Sequence, residues 1–484
     1  MIAEILNRDF VLGQLADIRR VMESQATSTR RSLTAGPEGA EALTPDDYAA
    51  AADMAAEALA NETQATSGQA GFAAPESTRR GMPAEEPAPS IDERSFFSRD
   101  PVISLFQSVL EEYLETREPE VIAEAEPASA SRGASLTATP HVPLVTERRL
   151  VQPEQEGRDR LFEQFSVTDP GWVSQLFAQA LTRLRGKRDF NPQPATQRPL
   201  QDRTRLLLVG DWGTGIARAQ KVADQMRQHL DRGKAEGVEQ TAIHLGDIYY
   251  AGRKREVNNR FLRYWPVQAD EADQIASYST NANHDMYSGG HAYYDVLLGD
   301  PRFAAQEKSS FFSLANAHWR ILGLDTAWEE KDLQAPQPEW IREQARQAKE
   351  AGQKLLFLSH HQLFTVYERE HDKIAGALES IGSPEIQAWF WGHEHRCMTF
   401  DPHLNVQYPS CVGHGGVPVY MKHEEDDPYP APGKWEYRDF ILDPNGKERW
   451  GYMGFASVDL DGPKATVTYV NEDGLPHHTD TIVG

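Results

Sequence analysis

From about Thr204 onward, short apolar runs of strand length alternate with helical stretches, and several runs stop at clusters of Asp, Asn, Tyr and His. TRLLLVG ends at Gly210, and GIARAQKVADQMRQHLDRG after it has helical spacing. TAIHLG follows as a strand, with a helix over 256–265. Further strand-like runs are QIASYSTNA, SFFSL, HWRILGLDT, KLLFLSH, EIQAWFWGH, NVQYPSCVGH, GFASVDL and ATVTYV, with helices expected near 338–352 and 370–381. Alternating βα units early and β-rich sequence late predict an α/β sandwich with a mixed sheet. Polar residues at strand ends are where open α/β sheets gather their sites. No internal repeat is present, which removes a solenoid.

The chain before Thr204 reads differently. Residues 1–30 have apolar positions near helical spacing and predict an amphipathic helix. Residues 31–94 turn to Ala, Glu, Pro, Ser, Thr and Gly and offer too little apolar surface to offset the entropy of ordering. Residues 95–118 regain bulky apolar spacing, a helix with Pro101 near its start, and 119–150 form a second poor linker. Within 151–203, a helix is predicted over 158–190, opened by Asp169, Pro170 and Gly171, before a linker from Asn191 to Asp202. This half contains one lysine, Lys187, and reads as a helical, partly disordered extension whose partner the sequence does not name.

The formal charge of −24, from 73 acids and 49 bases, argues against a nonspecific nucleic-acid binder. Cys397 and Cys411 are too few for a disulfide framework but leave a single bridge open. The first residues lack the apolar stretch of an export signal, and no apolar run approaches membrane-spanning length. A soluble, cytoplasmic protein is the expectation.

The polar clusters are GDWGTG at 210–215, GDIYY at 246–250, NANHD at 281–285, LSHH at 358–361 and GHEH at 392–395. Together they offer Asp211, Asp247, Tyr250, Asn283, His284, His360, His361, His393 and His395, oxygen and nitrogen donors enough for two adjacent ions. Taken singly each has a plainer reading. Asp211 could cap a helix, Asn283-His284-Asp285 could be a turn, and a His pair is more often surface or packed core than ligand. GDWGTG lacks the spacing of a dinucleotide-binding turn. His244 is expected to be a packed histidine, His414 a loop residue, and His477 and His478 solvent-exposed. Trp389 and Trp391 alternate with Phe390, which predicts core packing.

The order and spacing of these clusters resemble the calcineurin-like metallophosphoesterase superfamily, and in detail its purple acid phosphatase branch. Asp211-Trp212-Gly213, Gly246-Asp247-Ile248-Tyr249-Tyr250, Asn283-His284-Asp285, His360 and Gly392-His393-Glu394-His395 carry the likeness, over about 204–420. It implies a metallophosphoesterase β-sandwich flanked by helices over 204–484. It also implies one metal on Asp211, Asp247, Tyr250 and His395 and a second on Asp247, Asn283, His360 and His393, Asp247 bridging. A tyrosine phenolate favours iron(III), paired with a divalent ion such as Zn, Mn or Fe. The implied chemistry is hydrolysis of a phosphate monoester by a metal-bound hydroxide. His284 is the candidate for protonating the leaving group, with Asp285 beside it, and His361, His371 and Arg396 are candidate substrate contacts. Ala282 stands where the family has Gly, so a positive φ there would store strain. Two alternatives remain: a phosphodiesterase on the same site, and a non-catalytic module that keeps the fold.

Overall fold

The computed structural model describes residues 172–367, 373–421, 428–442 and 449–482. The expected elements within 1–171, the helices at 1–30 and 95–118 among them, lie outside these residues. The chain divides into two units, 1–157 with 169–185 and 158–168 with 186–484. The described part of the first is helix α1, Val173–Arg185, within the helix predicted over 158–190.

In the second unit two sheets face each other. The smaller contains β2 (Arg203–Val209), β3 (Glu239–His244), β4 (Ala276–Ser279), β14 (Gly454–Asp461), β15 (Lys464–Asn471) and β16 (Pro476–Ile482), in the order β16-β15-β14-β2-β3-β4. Strands β2, β3 and β4 are parallel, whereas β14, β15 and β16 are antiparallel. The larger sheet runs β1 (Arg198–Pro199), β5 (Phe312–Ala315), β6 (Trp319–Gly323), β7 (Lys354–Ser359), β8 (Ile386–Trp391), β10 (Val406–Val412), β9 (Cys397–Phe400) and β11 (Gly433–Glu436). Here β6, β7, β8 and β10 are parallel neighbours. A hairpin of β12 (Phe440–Leu442) and β13 (Arg449–Gly451) stands apart. The mixed α/β sandwich is the architecture expected from the strand and helix runs.

The two-residue period of each strand assigns its side chains to layers. Leu206, Leu208 and Ile243 from one sheet meet Ile321, Leu356, Leu358 and Phe390 from the other in the central core. The alternate positions Phe357, Trp389 and Trp391 pack outward with Ile341 of α3 (Gln337–Ala351) and Ile374 of α4 (Lys373–Ser380). Helix α2 (Ala217–Ala235) covers the outer face of the smaller sheet at β3 and β14. Cys397 belongs to the central core and Cys411 to the outer one, so they occupy opposite faces of the larger sheet and no bridge joins them.

Several local expectations differ. The segment 186–203 is part of the second unit, where Leu200 enters the central core and β1 pairs with β5. The helix expected over 256–265 is a short turn, Lys254–Glu256, running into a π-helical segment, Val257–Leu262. His477 and His478 are half-buried on β16, their rings against Tyr437 at 3.8 Å and Trp435 at 4.3 Å. Among the described residues no helix is long and apolar enough to cross a membrane.

Candidate metal centre

The polar clusters follow β2, β3, β4, β7 and β8 directly, and the pairing of these strands gathers their carboxyl ends at one edge of the sandwich. Tight loops are required to turn side chains back over that edge. Asp211, Asp247 and His393 adopt left-handed backbone, with φ of 56°, 76° and 67°. Non-glycine residues held there cost on the order of 1 kcal/mol or more each, a pattern concentrated at functional sites. Gly246 lies at φ 96°, and a Cβ on it would come within 2.8 Å of His360 Nδ1. Ala282 has φ −138°, ordinary extended backbone, so it carries no strain.

Asp211 and Asp247 are almost completely buried. The Asp211 Oδ2 accepts the His393 amide at 2.8 Å, and Asp247 Oδ1 accepts the His284 amide at 3.1 Å. Burial works to raise the Asp247 carboxyl, but His284, His360 and hydrogen bonds from Tyr249 and the His284 amide outweigh it and hold it below the usual carboxylate range. Burial likewise opposes charge on His395, and Asp211 foremost among its neighbours overcomes it, raising the imidazole above its ordinary value.

The hydroxyl between these groups belongs to Tyr249. It lies 3.0 Å from Asp211 Oδ1, 2.9 Å from Asp247 Oδ2 and 2.9 Å from His395 Nε2. Tyr250, to which the resemblance assigns the phenol, instead places its amide 2.6 Å from Glu256 Oε1 and its ring 5.3 Å from the Arg260 guanidinium. The physical reason is the buried Glu256 carboxylate, which also accepts the amides of Ala251 and Arg253 and so fixes how the loop turns.

His360 presents Nε2 to Asn283 Oδ1 at 2.8 Å and to Asp247 Oδ1 at 3.4 Å, while its Nδ1 lies 2.9 Å from the Leu245 carbonyl. A neutral imidazole has one proton, here demanded by oxygen on both sides. Asn283 donates its amide to Tyr287 at 2.8 Å, which turns its oxygen toward His360. His393 Nδ1 adds another nitrogen 3.2 Å from His360 Nε2. Lone pairs crowded together with too few protons fit metal cations, and Asp211, Asp247 and His360 offer ligand atoms within 4.8 Å of one another.

His284 is held by its Nδ1, 2.6 Å from the Tyr250 carbonyl, so its Nε2 faces Asp247 Oδ2 at 3.8 Å. Burial pushes its pKa below the ordinary value. Asp285 is fully buried beneath it, its carboxyl pushed well up by burial first and by Asp247. Arg396 is pinned at the wall, 2.8 Å from Glu436 and 3.8 Å above the Tyr367 ring. His361 turns inward beside His360 and His393. His371 lies outside the described residues.

His244 and His414 are buried, both pushed down to about 3 chiefly by burial. The sequence reading passed over Tyr249, Glu256 and the Asp325-Thr326 pair. For that pair a signal existed, since HWRILGLDT is itself an apolar run ending in polar residues.

A model of the calcineurin-like phosphoesterase family matches residues 204–397. No curated protein matches the chain. Among solved structures, GAP50, the anchor in the inner membrane complex of Plasmodium, is 14% identical over 58% of this chain and 89% of its own, with a TM-score of 0.42. A dimetal phosphatase from Danio rerio is 15% identical over 60% of this chain and 99% of its own, at 0.37. PhoD is 9% identical over 60% and 70%, also at 0.37. Likeness of this degree says nothing about activity. The family match, residues 204–397, spans all the strand-end clusters that converge on one edge of the sandwich, and this part of the chain is similar to the calcineurin-like phosphoesterases.

Proposed function

We propose that this chain hydrolyses phosphate monoesters at a dinuclear metal centre. Asp211, Asp247, Tyr249 and His395 would hold one ion, and Asp247, Asn283, His360 and His393 the other, with Asp247 shared. The observation that carries this reading is the surplus of acceptors: His360 Nε2 faces Asn283 Oδ1 at 2.8 Å while Nδ1 faces the Leu245 carbonyl. Two adjacent cations would lower the pKa of a water toward neutrality and offset the charge of the phosphoryl oxygens.

The remaining work falls to the chain's own groups. Asp211 and Asp247 keep anionic oxygens directed inward because backbone amides hold their other oxygens. The Leu245 carbonyl and Tyr287 hydroxyl orient His360 and Asn283. His284 Nδ1–H donates to the Tyr250 carbonyl, so the protonated imidazole presents its Nε2–H to the leaving oxygen. The Tyr249 phenol meets both carboxylates on the side of the first ion, with His395 the single imidazole there, while His360 and His393 serve the second, which supports an iron(III) ion paired with Zn, Mn or Fe. A monoester dianion is the substrate that best balances such a cation pair.

Full-length protein reconstituted with iron plus zinc should turn over a chromogenic monoester at least about tenfold faster than the matching diester, and chelation should abolish both reactions. A faster diester would overturn the monoester assignment. Two bound ions with neither ester hydrolysed would make the fold a non-catalytic module.

A further inference from the structure

His361 follows the proposed ligand His360 and is as deeply buried, with 1% of its surface exposed. Its ring forms a triangle with its neighbours: centroids lie 4.9 Å from His360 and 4.7 Å from His393, which are 5.1 Å from each other. One ring nitrogen from each lies within 4.8 Å of the other two. Among the described residues the buried His361 Nε2 has no hydrogen-bond partner. A buried polar atom left uncompensated carries its full desolvation cost, so its retention needs a reason.

The opposite side of the ring is fixed. Thr326 Oγ1 lies 3.0 Å from His361 Nδ1 and accepts the His361 amide at 3.1 Å. Its two lone pairs suffice for the amide and an Nδ1–H, which leaves the Nε2 lone pair free. Thr326 is itself positioned by Asp325, whose carboxylate accepts the amides of Ala327 and Trp328, both at 2.9 Å, and the Asn281 side chain at 3.1 and 3.2 Å. A histidine held at one nitrogen by an oriented oxygen, with its other nitrogen buried and its ring packed beside two further imidazoles, has the arrangement of a metal ligand.

We infer that His361 is a third imidazole ligand to the ion held by His360 and His393, making that site richer in nitrogen and selective for zinc over harder ions. The inference rests on the proposed two-metal reading. Its rival is a Thr326 hydroxyl that donates to Nδ1, leaving an Nε2–H to meet a phosphoryl oxygen.

The test is zinc titration of metal-free, full-length protein, with wild type, His361→Ala and Thr326→Val compared by competition with a chromogenic chelator. His361→Ala should keep the first zinc and weaken the second by about tenfold to a hundredfold or more, with Thr326→Val falling between. Unchanged affinity for both ions, with a raised KM for a monoester, would overturn the inference in favour of the phosphoryl contact. Should circular dichroism show His361→Ala unfolded, nitrogen-15 histidine spectra of wild type decide. The His361 Nε2 resonance should move to a metal-bound position as the second equivalent of zinc is added, and an unmoved resonance overturns the inference. A wild type that takes up a single zinc removes the dinuclear reading itself, a result distinct from loss of one ion in the variant alone.

Discussion

Tyr249 and Tyr250 are both buried aromatic residues of one loop, and it is the Tyr249 hydroxyl that meets Asp211, Asp247 and His395. Burial first, then the two carboxylates, hold the Tyr249 phenol well above its ordinary pKa, so a phenolate there demands a strongly charged ion. In iron-reconstituted protein, Tyr249→Phe should abolish the visible charge-transfer band and Tyr250→Phe should retain it; the reverse would return the ligand to Tyr250. His284→Ala should keep both ions and lower kcat by roughly 10²–10⁴, the contribution of a positioned acid. Because burial places the His284 pKa below its ordinary value, its acid form declines as pH rises through that lowered value. Wild-type kcat should therefore fall as pH rises through that lowered value, a descending limb that His284→Ala loses, and a limb unchanged by the substitution would assign the proton to another group. The motif's spacing pointed to Tyr250, but the two tyrosines differ by a single position, and which ring turns toward the carboxylates depends on how the loop closes.

At the scale of elements, the loop after β3 is built around one carboxylate. Glu256 accepts the amides of Tyr250, Ala251 and Arg253 at 2.6, 3.0 and 2.9 Å and the Arg260 guanidinium at 3.1 Å. Arg260 also reaches the Tyr249 carbonyl at 2.7 Å, so the bracket spans both tyrosines. Burial alone would raise the Glu256 carboxyl, but Arg253 and Arg260 outweigh it and keep it ionised. Glu256→Ala strands these partners and should destabilise the protein by roughly 3–5 kcal/mol in urea denaturation. A loss below about 1 kcal/mol would show that the loop closes without it. The sequence marks a helix here, yet the chain forms a short turn and a π-helical segment. Strand β16, PHHTDTI, escaped the reading because its polar alternation gives no apolar signal, although Pro476–Ile482 pairs along β15.

Across the whole molecule, buried neutral histidines set an acid limit on stability. His244 and His414 are pushed from an ordinary value of 6.5 to about 3 by burial. The folded state favours their neutral forms, so below about 6.5 the unfolded chain binds more protons. Their contribution is complete above that value and is lost as pH falls toward about 3, at up to about 1.4 kcal/mol per pH unit for each group. Unfolding free energies measured from pH 7 to 4 should fall less steeply for His244→Phe than for wild type. An unchanged slope would show that His244 does not titrate with unfolding.

The sequence by itself determined the fold class, the order of the strand-end clusters and the donor types at its active edge. These are local properties: apolar period fixes the strands, and the residues after each run fix what chemistry reaches the edge. Tertiary structure decided which side chains turn inward. Ala282 is extended, the cysteines lie on opposite faces, Tyr249 reaches the carboxylates, and His361 joins His360 and His393. Each orientation depends on a partner supplied by a distant part of the chain or by the closure of a loop, as Thr326 does for His361 and Glu256 for Tyr250. Such directions are set when strands pair and buried polar groups find partners, and no local pattern records them.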